Sequence, residues 1–82
     1  DHVRYMAAKG LGLLGDRRAV AHLGVMQRDE NEFVRRSAAS SLGRIAGEEA
    51  IGLLRAALEV EAADGVRAAI LAALREAGAE GD

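Results

Sequence analysis

The sequence predicts an all-α fold in which one small helical unit is copied and stacked. The pair Val-Arg recurs with spacings of 31 and 32 residues, at Val3-Arg4, Val34-Arg35 and Val66-Arg67. A fixed period of this length indicates a repeat architecture. Alanine is the commonest residue, and proline and threonine are absent. This composition favours helix over sheet, because alanine is the best helix former.

Each copy begins with an apolar stripe of helical spacing. Residues at i, i+4, i+8 and i+11 lie on one face of an α-helix. The stripes are Val3, Ala7, Leu11 and Leu14; Val34, Ala38, Leu42 and Ile45; and Val66, Ile70, Leu74 and Ala77. A second block follows the first two stripes, since residues 15–23 match residues 46–54. We therefore expect five helices, at roughly 2–14, 17–28, 31–46, 48–60 and 64–77.

The expected helix ends have a physical cause. Gly15 and Gly47 can adopt the left-handed conformation that closes a helix. Aspartates before the next helices can cap their first amides, and three are suitably placed: Asp16, Asp29 and Asp64. Glu48 and Glu49 fall in a first turn, where the helix dipole favours negative charge.

One helix pair cannot bury its apolar face alone, so the units are expected to stack into one continuous core. The doublets Ala7-Ala8 and Ala38-Ala39 would let neighbouring helices approach closely. We expect a single domain over residues 1–82, with units of about 1–30, 31–62 and 63–82.

The recurring motif VRxxAAxxLGxxG, followed by D/ExxAxxxL, resembles the short HEAT-like repeat of phycobilisome-lyase-type and armadillo-like proteins. The resemblance extends from Asp1 to about Gly78. It implies a right-handed α-solenoid of antiparallel helix pairs, with the Val-Arg helices on the concave side. It also implies that the repeated arginines bond to acidic loop residues; Arg35 could reach Asp16 or a carbonyl at a helix end.

Both ends of the chain depart from the pattern. The third copy has Ile70-Leu71 in place of Ala-Ala and stops after one helix, while the first lacks its outer helix. Solenoids normally carry polar capping units at their ends. We therefore expect a fragment of a longer solenoid, with flanking repeats in the parent protein or with end-to-end self-association.

The positions between the core residues of the Val-Arg helices form the expected partner-binding surface. They are His2, Tyr5, Met6 and Lys9 in the first copy, and Phe33, Arg36, Ser37 and Ser40 in the second. The third copy contributes Gly65, Ala68, Ala69 and Ala72. Aromatic residues, methionine and arginine are enriched at binding hot spots. The alternative is that Tyr5 and Phe33 only pack on neighbouring turns.

Charge is unevenly distributed between the two kinds of helix. The three Val-Arg helices carry a net charge of +4 and the remainder carries −6, for a total of −2. The surface between the Val-Arg helices therefore favours an acidic peptide as ligand. The negative total argues against nucleic acid as the main partner.

No residue pattern in the chain indicates catalysis, a cofactor or a metal. The stretch GLGLLG, residues 10–15, matches a dinucleotide fingerprint, but it falls at the end of a predicted helix and not after a strand. His2 and His22 are the only histidines, and neither is followed by glutamate as in HEAT-like metal-dependent hydroxylases. Cysteine is absent, which removes that nucleophile and suits a reducing cytosol.

These observations favour a non-catalytic protein-interaction or scaffold module that binds its partner on a concave face. The longest apolar run, residues 68–74, is too short to cross a bilayer, and we expect a cytoplasmic location. The alternative is a subunit of a bilin-lyase-like enzyme that holds a chromophore or its acceptor protein.

Overall fold

The computed structural model describes residues 17–79 together with Val3. The regular structure of residues 17–79 is entirely helical: α1 spans Arg17–Met26, α2 Glu32–Ile45, α3 Gly47–Val60 and α4 Asp64–Glu76. These are the last four of the five expected helices, and every boundary agrees to within two residues. The first expected helix, at roughly 2–14, lies outside the described residues apart from Val3.

The start of α2 is capped by Asn31 and not by Asp29, so the expected role of Asp29 is wrong. Asn31 Oδ1 accepts hydrogen bonds from the amides of Phe33 at 2.8 Å and Val34 at 3.3 Å. Asp29 lies two residues too early for this role, and its Oδ1 accepts from the Asn31 amide at 2.9 Å. The Asp29 carboxylate therefore stabilises the turn that positions Asn31 as the cap of α2.

Asp64 is also not a cap, because it is already the first residue of α4. The preceding residue, Ala63, has extended backbone angles and offers no side-chain cap. The carboxylate of Asp64 lies in the first turn, where the helix dipole favours it. Glu48 and Glu49 occupy the first turn of α3 as expected.

The contacts between helices establish their directions. Near the start of α4, the Arg67 side chain bonds to the Leu58 carbonyl near the end of α3. Gly78 and Ala79, after the end of α4, share a depression with Glu48 at the start of α3. Helices α3 and α4 therefore run antiparallel, which agrees with the helix pairs that the resemblance implies.

Helices α2 and α4 are the equivalent helices of successive units, and they lie side by side in the same direction. A Cβ built on Gly43 would come within 2.7 Å of the Ala73 Cα, and one built on Gly65 would come within 2.5 Å of Arg36 Nη2. Both contacts join positions about one repeat apart, and both advance together along the two helices. This parallel packing is what stacked copies of one unit produce.

One cluster of buried apolar residues draws on all four helices. Its largest fully buried members outside α2 are Leu23 on α1, Leu54 on α3, and Val66 and Ile70 on α4. The predicted stripe of α2 is confirmed at its first three positions, since Val34, Ala38 and Leu42 are fully buried, while the fourth, Ile45, is partly buried. Val3, the equivalent of Val34, is instead 78% exposed, so equivalence in sequence does not extend to burial there.

Candidate functional site

Four of the eight predicted partner-binding residues lie together on α2. Phe33, Arg36, Ser37 and Ser40 are spaced i, i+3, i+4 and i+7, which places them on one face of the helix. Phe33, Arg36 and Ser40 are exposed and Ser37 is half-buried. We call this surface the α2 face. The other four, His2, Tyr5, Met6 and Lys9, lie outside the described residues.

Phe33 and Arg36 contact each other on the α2 face. The Arg36 guanidinium carbon lies 5.4 Å from the centroid of the Phe33 ring, within the range of a cation–π interaction. Phe33 nevertheless remains 55% exposed. The ring therefore packs against Arg36 on the next turn and also presents apolar surface to solvent. Packing within the helix and binding a partner, the two expectations for Phe33, are thus compatible.

Gly65 at the start of α4 makes room for the Arg36 side chain. A Cβ at this position would lie 2.5 Å from Arg36 Nη2 and 3.5 Å from its guanidinium carbon. The guanidinium thus lies between the Phe33 ring and the α4 backbone. It makes no hydrogen bond or ion pair with any residue in the part of the chain that the structure describes.

Beyond Gly65, the adjoining surface of α4 consists of small side chains. Ala68 and Ala72 are exposed and Ala69 is half-buried. These are the residues that the sequence predicted for the third copy. They give the part of α4 that follows Gly65 a surface of small apolar side chains.

Arg35 has a different role from its neighbour Arg36. Its Nε donates to Glu61 Oε1 at 2.8 Å and its Nη2 to Glu61 Oε2 at 3.1 Å. Its Nη1 donates to the Asp29 carbonyl at 2.7 Å, in the turn between α1 and α2. The acidic loop residue that the resemblance implies as a partner of the arginine is Glu61, while Asp16 lies outside the described residues. The side chains of Arg35 and Glu61 are 19% and 6% exposed, so this bidentate pair is largely withdrawn from solvent.

Burial and hydrogen bonding shift the pKa of the Glu61 carboxylate in opposite directions. Burial by itself raises its pKa, but the hydrogen bonds from Arg35 and the Ala63 amide, with the charge of Arg35, outweigh burial. The pKa of Glu61 consequently lies below the ordinary value of 4.5. Glu61 is therefore a permanently charged link between two successive units at neutral pH.

The sequence contains a repeated acidic position that could have identified Glu61 but is not part of the VRxxAAxxLGxxG motif. Asp29 and Glu61 are 32 residues apart, and each stands six residues before a repeated arginine. Both carboxylates accept a hydrogen bond from the amide two residues later, those of Asn31 and Ala63. An acid at this position is thus part of the repeat.

Arg67 repeats half of the arrangement around Arg35. Its Nη1 donates to the carbonyls of Leu58 at 2.9 Å and Glu61 at 3.1 Å. The Glu61 carbonyl here takes the place that the Asp29 carbonyl takes for Arg35. Within residues 17–79, the Nε and Nη2 groups of Arg67 have no acceptor, whereas those of Arg35 bind a carboxylate.

The remaining residues singled out for chemistry are not brought together. His22 is exposed on α1, and His2 and the glycine-rich stretch 10–15 lie outside the described residues. Among the described residues, no three His, Cys, Asp or Glu side chains lie close enough together to hold a metal ion. None of the helices in residues 17–79 has the length and apolar character needed to cross a bilayer.

Comparison with known proteins adds one finding to this geometry. A family model for HEAT repeats matches residues 1–75, which include the α2 face, the Arg35–Glu61 pair and most of α4. Neither the curated proteins nor the solved structures contain a significant match to the chain.

Proposed function

We propose that this chain, which belongs to the HEAT repeat family, is a non-catalytic interaction module whose α2 face binds an acidic segment of another protein. HEAT repeats generally mediate protein–protein interaction, and stacked helical units present extended surfaces for it. The observation that carries the proposal is the exposed Phe33–Arg36 pair, whose guanidinium lacks a carboxylate among the described residues. By the family resemblance, we assign the α2 face to the concave side of a right-handed solenoid in the cytoplasm.

The arrangement of Arg36 favours binding because its side chain is already held in place. An arginine that must be ordered on binding loses rotamer entropy, which costs about 0.5–1.5 kcal/mol. Phe33 on one side and the Gly65 backbone on the other restrict the guanidinium before any partner arrives. A carboxylate could then accept two parallel hydrogen bonds from it, while an apolar side chain beside that carboxylate covers the exposed ring.

The proposal is tested by capturing partners from the native host with the wild-type chain and with a Phe33→Ala, Arg36→Ala double variant. Both side chains are exposed, so the variant is expected to remain folded by circular dichroism. Proteins that bind the α2 face should be lost from the double variant. Acidic segments of those proteins, made as labelled peptides, should bind the wild-type chain by fluorescence anisotropy, with an affinity that falls as salt increases.

The matched control is Arg28→Ala, which removes an exposed arginine from the turn after α1, away from the α2 face. It should retain the captured proteins and the peptide affinity of the wild-type chain. Equal capture by the wild-type chain and the double variant would contradict the proposal. So would captured proteins whose binding segments carry no excess of Asp and Glu.

A further inference from the structure

A groove of about 640 Å³ lies between the end of α1 and α3, beside the loop that precedes α4. Small residues line much of it, with Gly24 on α1 and Ala56 and Ala57 on α3. Leu53 lies against Gly24, where an added Cβ would come within 3.1 Å of the leucine Cδ1. The groove shares no residue with the α2 face, so a ligand held here does not compete for the side chains of that surface.

Gln27, in the turn after α1, lines the groove with a side chain that is only 8% exposed. Its Nε2 donates to the Arg35 carbonyl at 2.9 Å, and this bond establishes which end of the amide is the oxygen. That oxygen, Oε1, is buried and has no hydrogen-bond partner among the described residues. Such atoms are rare in folded proteins, because the oxygen has left water without gaining a new hydrogen bond. A ligand that donates one hydrogen bond to Oε1 would recover that loss.

The charges of the residues that line the groove balance one another. Arg35 and Glu61 bind each other, and the exposed Arg28 and Glu59 add one charge of each sign. Val60, which is 83% exposed, extends the apolar part of the lining to the surface. The groove therefore favours a neutral ligand with an apolar body, in contrast to the acidic ligand proposed for the α2 face.

The lining also indicates which kind of donor fits. The described residues offer one buried acceptor without a partner and no buried donor without one. Among neutral side chains, hydroxyls and amides carry acceptors as well as donors, whereas the indole of tryptophan only donates. Tryptophan combines this single N–H with a large apolar ring, and its N–H usually finds a partner when the ring is buried.

We infer that the groove binds a tryptophan side chain of a partner protein, with the indole N–H donating to Gln27 Oε1 and the ring lying against Leu53 and Ala57. The oxygen is buried before binding, so the Gln27 side chain has to shift toward the groove as the ring enters. The groove is open to solvent, which leaves room for the peptide backbone that carries the tryptophan. This interaction goes beyond the proposed function, since its ligand is neutral and the α2 face takes no part in it.

The inference is tested with two neutral peptides, acetyl-Gly-Trp-Gly-amide and a control in which benzothienylalanine replaces tryptophan. The control ring has nearly the same shape but carries sulfur in place of the N–H donor. Each peptide is titrated into the isotope-labelled chain, while NMR follows the side-chain amide of Gln27 and the methyl groups of Leu53. The tryptophan peptide should shift these resonances and bind about tenfold more tightly than the control, a difference of about 1.4 kcal/mol. Sodium chloride should change its affinity little, because the ligand has no charge to screen.

The variant Gln27→Met removes the acceptor and keeps an unbranched side chain of similar length. It should bind the two peptides with equal affinity, provided that circular dichroism shows it to be folded. The matched control is His22→Met, at an exposed position of α1 outside the groove, which should keep the tenfold preference for tryptophan. The Phe33→Ala, Arg36→Ala double variant should keep it as well, which separates this groove from the α2 face.

Three results would overturn the inference. Equal affinity of the wild-type chain for the two peptides, or no binding of the tryptophan peptide, would do so without any variant. Resonance shifts centred on Phe33 and Arg36 would show that the ring stacks on the α2 face instead. A tryptophan preference that persists in Gln27→Met would show that Gln27 is not the acceptor. None of these results bears on the acidic segments, whose binding to the α2 face should be unchanged in Gln27→Met.

Discussion

At the scale of single residues, Ala46 is the position where the sequence departs most clearly from what the backbone requires. It closes α2 with φ of 62° and ψ of −164°, a combination that is essentially reserved for glycine. The sequence instead assigned helix closure to Gly47, which follows with φ of 88°. The equivalent positions one repeat away are Gly15 and Gly78, and Gly78 has φ of 82°. The unit containing Ala46 thus carries an alanine where the other two copies have glycine.

We expect Ala46→Gly to stabilise the protein. Removing the Cβ relieves a backbone strain of about 1–3 kcal/mol, while the added freedom of the unfolded chain costs about 0.4–1 kcal/mol. The free energy of unfolding, measured by urea denaturation, should rise by about 1 kcal/mol. The control is Ala56→Gly at an exposed position of α3, which should lower it by about 0.5–1 kcal/mol. A decrease for both variants would show that Ala46 is not strained.

At the scale of helices, the contact between α2 and α4 depends on small residues. Ala38 and Ala39 are fully buried on α2, and Ala73 is 2% exposed on α4. Gly43 comes closest, since its hypothetical Cβ meets the Cα, Cβ and carbonyl oxygen of Ala73 at 2.7, 2.7 and 2.8 Å. Two of these atoms belong to the backbone, so the clash cannot be relieved by a side-chain rotation. The helices themselves would have to separate.

We therefore expect Gly43→Ala to destabilise the protein, against the general preference of helices for alanine. Overpacking should lower the free energy of unfolding by about 1–3 kcal/mol, whereas the higher helix propensity of alanine should raise it by at most about 1 kcal/mol. The matched control is Gly52→Ala on α3, where nothing lies within 4 Å of the added Cβ. Urea denaturation should show Gly43→Ala less stable than wild type and Gly52→Ala more stable by about 0.5–1 kcal/mol. Equal effects at the two glycines would mean that α2 and α4 are not in close contact.

At the scale of the whole molecule, the sequence predicted the features that depend on the repeat period and on the local spacing of apolar residues. The four described helices and the buried stripes of α2 and α4 follow from the spacing of apolar residues, which one unit specifies for itself. The resemblance implied an acidic loop partner for Arg35, but Glu61 was not identified as that partner, because the two residues are 26 apart and their pairing requires the register in which units stack. The contact of Arg36 with Gly65 was missed for the same reason, although both residues were assigned to the binding surface.

The Arg35–Glu61 pair makes stability depend on pH, because it joins one unit to the next through an ionised carboxylate. The folded-state pKa of Glu61 lies below 4.5, so the unfolded chain takes up this proton first as pH falls. The stabilisation is therefore complete above about pH 4.5 and is lost as pH falls from there through the folded-state pKa.

We expect Glu61→Gln to lower the free energy of unfolding by about 1–3 kcal/mol at neutral pH, since it replaces charged hydrogen bonds by neutral ones. Urea denaturation from pH 7 to pH 3 should show this difference constant at first and shrinking below about pH 4.5. The control, Glu59→Gln, changes an exposed glutamate of α3 and should follow the wild-type curve throughout. Hydrogen exchange adds a readout of the link between units: at neutral pH, the amides of α4 should lose more protection in Glu61→Gln than in Glu59→Gln. A Glu61→Gln difference that does not change between pH 7 and pH 3 would contradict this assignment, because a stabilising carboxylate must lose its effect when it is protonated.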